Sequence, residues 1–133
     1  MLYLSSFLFG LVSYHAAVVK DAFLHKASLI QYGVSILHHA YGMDHTLYHS
    51  GALIAFIDRI TCRIATCYIL YEARTLNTVP KMSIWTLLSY VTITYVAYLR
   101  NAKKYNKIHY ILHASIHALS TTAAHILLLC KNA

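Results

Sequence analysis

The chain alternates long apolar stretches with short polar breaks, and this pattern governs the prediction of its structure. The apolar stretches approach the ~20 residues that an α-helix needs to cross a bilayer, and charged residues or the single proline separate several of them. The pattern therefore predicts one all-α domain over residues 1–133, a polytopic transmembrane helix bundle of about five spanning helices. We predict these helices at roughly residues 1–20, 27–42, 51–73, 82–100 and 108–130.

Composition agrees with an integral, multi-pass membrane protein. Of the 133 residues, 59% are hydrophobic and 11% are charged, whereas a soluble domain usually has ~25% charged residues. The formal net charge is +7, but the Lys and Arg residues are scattered between apolar runs, so we predict no nucleic-acid partner. The first apolar run has neither a basic leader nor a convincing cleavage site, and we expect it to be retained as a helix.

Several ionisable and polar residues lie inside the apolar stretches. If the helices alternate across a membrane, the second helix ends on the side where the first begins, and the third and fifth start there. Their polar residues then fall at similar depth near that side. Such side chains are costly in hydrocarbon and usually have a partner and a function. The residues that meet this description are Ser35, His39, Asp58, His113 and His117.

The spacing of these residues favours metal chemistry. His113 and His117 are four residues apart, which places both imidazoles on one helix face, and His39 supplies a third. Three histidines leave a coordination position of zinc open for water, as in a hydrolase. Asp58 is a candidate to hold or deprotonate that water or to orient a ligand, and Ser35 is a candidate donor to the water or to an oxyanion.

Other interpretations of the histidines remain open. The second pair His45 and His49 has the same spacing, so His49 is an alternative to His39 as a ligand. Histidines on two helices are also typical of bis-histidine haem proteins, and a histidine network in a non-enzymatic protein can serve packing or pH sensing. We expect isolated histidines such as His15 and His125 to form hydrogen bonds between helices.

The order of these motifs resembles the membrane metal-hydrolase superfamily of alkaline ceramidases, hemolysin III proteins and adiponectin/progestin receptors. The matching segments are Ser35-Ile-Leu-His38-His39, Ile57-Asp58-Arg59 and His113-Ala-Ser-Ile-His117. The resemblance implies a zinc ion bound by His39, His113 and His117, with Asp58 and Ser35 near the water and a lipid amide as substrate.

Two features differ from that superfamily. Its members typically have seven helices rather than five, so the substrate cavity here is expected to be either incomplete or completed by another subunit of a homo-oligomer. Arg59 also follows Asp58 where the superfamily has another group, and it is expected to pair with that carboxylate or with a lipid phosphate. Membrane lipids are the expected partners in either case.

Overall fold

A computed structural model describes residues 2–41, 48–101 and 107–131, and over these residues the chain forms five α-helices and no strand. The all-α prediction is therefore confirmed for this part of the chain. The helices are α1 (Leu2–Val18), α2 (Ala22–Tyr41), α3 (Tyr48–Ala73), α4 (Thr78–Asn101) and α5 (Lys107–Lys131).

The largest difference from the predicted boundaries is at the start of α2, which begins at Ala22 rather than at 27. Asp21 is its N-cap, because the Asp21 Oδ1 atom accepts a hydrogen bond from the Leu24 backbone N at 2.9 Å. The charged segment predicted as a loop is thus a tight turn followed by the first helical turn.

The end of α1 explains how so short a turn is made. The Asp21 N donates to the Ala16 carbonyl at 2.8 Å and the Lys20 N donates to the Ala17 carbonyl at 3.2 Å, which is the Schellman pattern. Lys20 has a φ of 63°, in the left-handed region that glycine usually occupies. The chain therefore reverses direction within three residues.

The helix α4 also begins earlier than predicted, at Thr78 rather than at 82. Pro80 does not end the preceding break but lies inside the first turn of α4. A proline is tolerated there because the backbone N–H groups of a first helical turn have no carbonyl partner within the helix.

The helices alternate in direction, as the contacts between their side chains show. Ser6 of α1 contacts Ser35 of α2, and Ser13 contacts His25, so α1 and α2 are antiparallel. The parallel pair α1 and α5 is joined near one end by Ser5 with His117. We call the end where α1 begins and α2 finishes the N-terminal end of the bundle.

The helices α1, α2 and α5 form the centre of the bundle. The most extensive packing joins α1 to α2 and α4 to α5, and α3 packs mainly on α2. Contacts between α3 and α4 are sparse, so these two helices are peripheral.

The interior has an apolar half and a polar half. Away from the N-terminal end, the core is built from small and aliphatic side chains that include Val12, Ala16, Leu24, Leu127 and Leu128. Towards the N-terminal end, most of the buried side chains are polar. They include Ser5, Ser6, Gln31, Ser35, His39 and His117.

The outer surface is strongly apolar, with exposed side chains such as Leu53, Val79, Ile93 and Leu129. Two helices are long and apolar enough to cross a membrane, Thr78–Asn101 and Tyr110–Lys131. The helix α1 is apolar but has only 17 residues, and α2 and α3 contain histidine, lysine, arginine and aspartate. The structure thus supports a membrane location through two helices and does not establish five spans.

At the opposite end of the bundle, Asp21 joins three helices. Its carboxylate accepts hydrogen bonds from the Tyr68 hydroxyl at 2.8 Å and from Lys131 Nζ at 3.2 Å, and Lys131 also pairs with Glu72. Burial of the Asp21 carboxyl raises its pKa, but the donors Leu24 N, Tyr68 and Lys131 outweigh this effect and lower the pKa below its ordinary value. The α1–α2 turn is therefore held to α3 and α5 by an ionised carboxylate.

Candidate metal centre

Three histidines converge inside the polar half of the bundle. One ring nitrogen from each of His39, His113 and His117 lies within 4.8 Å of the others, so the three can share one metal ion. His39 and His117 are both buried, with 4% of their surface exposed, and His113 is partly buried. The structure thus brings together the three imidazoles that the sequence analysis predicted as metal ligands.

Helix geometry accounts for this convergence. His113 and His117 are one turn apart near the start of α5, and their ring centroids are 4.5 Å apart. His39 is near the end of α2, and its ring centroid lies 5.0 Å from that of His113 and 5.9 Å from that of His117. Both helices pack on α1, which places the end of α2 beside the start of α5.

Ser5 and Phe9 of α1 orient the His117 ring. The Ser5 Oγ lies 3.0 Å from His117 Nδ1, and the Phe9 ring meets the His117 ring edge-on at 4.9 Å. With Nδ1 engaged, His117 has its Nε2 for a ligand, and such a second hydrogen bond is typical of metal-binding histidines. Sequence reasoning missed Ser5, because a serine in an apolar helix commonly bonds to its own helix backbone and so does not indicate a partner on another helix.

Ser35 lies one turn from His39 on the buried face of α2, as predicted from the four-residue spacing. Ser35 is 1% exposed, and its hydroxyl lies 2.8 Å from the Ser6 Oγ of α1. The structure therefore places Ser35 beside the histidines and shows a hydrogen bond across the α1–α2 interface.

Asp58 lies further from the histidines than the sequence suggested. Because α3 begins at Tyr48 rather than at 51, Asp58 is almost three turns into the helix. Its Oδ1 accepts a hydrogen bond from Gln31 Nε2 at 2.6 Å, and Gln31 is eight residues from His39, about 12 Å along the axis of α2. Asp58 is consequently not a member of the group within ligand distance.

The pairing of Asp58 with Arg59 is not observed. Among the described side chains, the ion pairs within 4.0 Å join Lys131 to Asp21 and Glu72. Gln31 takes the place expected for Arg59, and sequence reasoning missed this partner. The buried Gln31 Oε1 has no hydrogen-bond partner among the described residues.

Two further rings border the cluster. The Tyr98 ring of α4 meets the His113 ring edge-on at 5.2 Å, and the His38 ring lies parallel to it at 6.4 Å. The alternative ligand His49 lies in the first turn of α3, but its side chain and the whole of residue 45 are outside the described part of the structure.

The isolated histidines form a separate contact between helices. His15 Nδ1 of α1 and His125 Nδ1 of α5 are 2.9 Å apart, so one ring donates a hydrogen bond to the other. This is the packing role expected for them. These two histidines are not part of the three-histidine cluster.

The donor set suits a transition-metal cation. Neutral imidazole nitrogen is a ligand for zinc, copper, iron and nickel, and three such donors leave a position open on a tetrahedral ion. The geometry of the three histidines is compatible with a bound metal ion.

Comparison with known proteins gives no assignment. No family model, no curated protein and no solved structure matches the chain.

Proposed function

We propose that the chain is a zinc-dependent hydrolase embedded in a membrane, acting on the amide bond of a lipid. The observation that carries this proposal is the convergence of His39, His113 and His117 within ligand distance inside a bundle with an apolar exterior. Soluble proteins rarely expose such extensive apolar surface, so a lipid environment accounts for it. The proposal includes five spans, supported by the alternating direction of the helices.

In this proposal, zinc would be held by His39, His113 and His117, and it would supply Lewis-acid activation of water, whose pKa it lowers towards ~7. Ser5 fixes the orientation of His117 through Nδ1. Ser35, one turn from His39, is the proposed hydrogen-bond donor to the oxyanion that develops on the amide carbonyl.

Asp58 is the proposed base, and its position sets a condition on that role. The carboxylate is held by Gln31 about two turns of α2 from His39, and a base must come within hydrogen-bond reach of the water, so Asp58 would have to move towards the histidines to act. The substrate class, a lipid amide, comes from the resemblance of the three motifs to those of alkaline ceramidases. The expected partners are therefore membrane lipids.

A non-enzymatic membrane protein is the second candidate. Ser35 and Asp58 already have hydrogen-bond partners in Ser6 and Gln31, and polar contacts of this kind also hold helices together. The haem alternative is less well supported, because the third imidazole within 4.8 Å of the other two occupies space that a porphyrin between them would need.

Metal analysis of gently purified protein tests the proposed centre. We expect about one zinc per chain, lost in His113→Ala or His117→Ala and retained in the control His125→Ala. His39→Ala should lower metal affinity far more than His49→Ala. Haem absorbance, or the absence of stoichiometric metal, would contradict the proposal, and a larger effect at His49 would move the site.

Lipid-amide cleavage tests the chemistry separately. Asp58→Asn and Ser35→Ala should retain zinc and thermal stability while cleavage of a ceramide-like substrate falls about a hundredfold or more. All three quantities should be measured on the same preparation. Unchanged cleavage would remove these residues from the mechanism, and loss of the fold in Asp58→Asn would favour the packing role.

A further inference from the structure

Two arginines lie on the outer surface of α3. Arg59 and Arg63 are both exposed and four residues apart, so their side chains lie on one face in consecutive turns. They lie near the middle of the 26-residue helix rather than at its ends. In a membrane-embedded helix, uncompensated charges at this position are costly.

Among the described side chains, Arg59 and Arg63 form no ion pair with an acidic residue of the chain. The chain has four acidic residues, Asp21, Asp44, Asp58 and Glu72. Asp21 and Glu72 pair with Lys131, and Asp58 accepts its hydrogen bond from Gln31. Asp44 lies outside the described residues. Arg59 and Arg63 form no ion pair within the described part of the chain, so an anion from outside it would satisfy them.

The surface around the arginines is apolar. Phe56 and Ile60, each three residues before an arginine, are 58% and 37% exposed, and Ile64 is 51% exposed. Residues three apart are neighbours on a helix, so each guanidinium has a hydrophobic side chain beside it. A ligand that matches this surface has an anionic group and a hydrocarbon chain.

We propose that Arg59 and Arg63 bind the phosphate group of an anionic lipid at the α3 surface. Guanidinium groups donate paired hydrogen bonds to phosphate oxygens, and two of them in consecutive turns suit a phosphomonoester, which has three terminal oxygens, better than a carboxylate. The apolar side chains Phe56, Ile60 and Ile64 contact the acyl chains. This site does not depend on hydrolysis or on bound metal.

Equilibrium binding to the purified full chain in a neutral detergent tests the site with three probes. The probes are a short-chain phosphatidic acid, the matching diacylglycerol and inorganic phosphate. We expect phosphatidic acid to bind about tenfold or more tightly than either of the others, because only it offers both the phosphate and the acyl chains. Equal binding of inorganic phosphate would overturn the lipid assignment, and equal binding of diacylglycerol would overturn the phosphate assignment.

Variants identify the residues. Arg59→Gln and Arg63→Gln should each weaken phosphatidic acid binding about tenfold, whereas the control Arg100→Gln, an exposed arginine at the end of α4, should not. Arg59→Lys should give an intermediate loss, because it keeps the charge but not the guanidinium fork. Wild-type affinity in both glutamine variants, or no binding by the wild type, would refute the proposal. His113→Ala, which is expected to lose the metal, should keep its affinity for phosphatidic acid. The lipid site is thereby tested independently of the proposed hydrolase.

Discussion

Single side chains orient the imidazole rings of the histidine cluster through hydrogen bonds. Ser5 is far from His117 in sequence, yet its hydroxyl engages His117 Nδ1 and leaves Nε2 for a ligand. His39, His113 and His117 were identifiable because histidine is an unusual residue in an apolar stretch and because a four-residue spacing has one meaning on a helix. Serine gives no comparable signal, since its hydroxyl commonly bonds to its own helix backbone.

The contact between Ser5 and His117 leads to a prediction about metal affinity. Ser5→Ala should weaken zinc binding about 10- to 100-fold, because the His117 ring loses the hydrogen bond that orients it. The matched control is Ser13→Ala, which removes another α1 serine that contacts a histidine, His25, away from the cluster. Competition with a zinc chelator measures both affinities. Equal affinities for the two variants would remove Ser5 from the site.

The Asp21 carboxylate stabilises the turn between α1 and α2 and joins it to α3 and α5. Asp21 caps α2 and also accepts hydrogen bonds from Tyr68 of α3 and Lys131 of α5. Because the pKa of Asp21 is lowered in the folded protein, its contribution to stability is present above the ordinary aspartate pKa of ~3.9 and is lost as pH falls through the folded value. The stability that the α1–α2 turn gains from Asp21 is therefore expected to fall at acidic pH.

Asp21→Asn isolates that charge, since asparagine is an equally good N-cap. At neutral pH, we expect the variant to be less stable than the wild type by about 1–3 kcal/mol, the loss typical of a hydrogen-bonded charged group. The difference should shrink as pH falls below about 4, where the unfolded chain binds the proton, and vanish once the pH has passed the lowered pKa of the folded carboxyl. Unfolding in detergent at several pH values measures this. A difference that stays constant with pH would show that the ionised carboxylate is not the cause.

At the level of elements, the helices were predictable and their first turns were not. An apolar run of about twenty residues identifies α4 and α5 directly, because few other structures need such a run. The starts of α2 and α4 were missed because Asp21 and Pro80 were interpreted as parts of loops, whereas a cap and a first-turn proline belong to the helix. The start of α3 was also predicted too late. Because α3 begins at Tyr48, Asp58 lies almost three turns into that helix.

For the whole molecule, the alternating helices give a test of membrane topology. In a background without native cysteines, Leu2→Cys and Asn101→Cys should react with an impermeant maleimide from one side of the membrane. Lys20→Cys and Asn77→Cys should react from the other side. This outcome follows if five helices cross, because the two ends of α1 then lie on opposite sides of the membrane, and so do the two ends of α4. Labelling of residues 2 and 20 from the same side would show that α1 does not cross the membrane.

The sequence by itself determined the helical class and nominated the three histidines. Both predictions depend on short stretches of sequence. The length of an apolar run identifies one helix, and a four-residue spacing places two side chains on the same face of that helix. Only the tertiary structure decided the partners: Ser5 for His117, Gln31 rather than Arg59 for Asp58, and Lys131 for Asp21. These contacts join residues far apart in the chain. They depend on which helix faces pack together, a choice that local spacing does not encode.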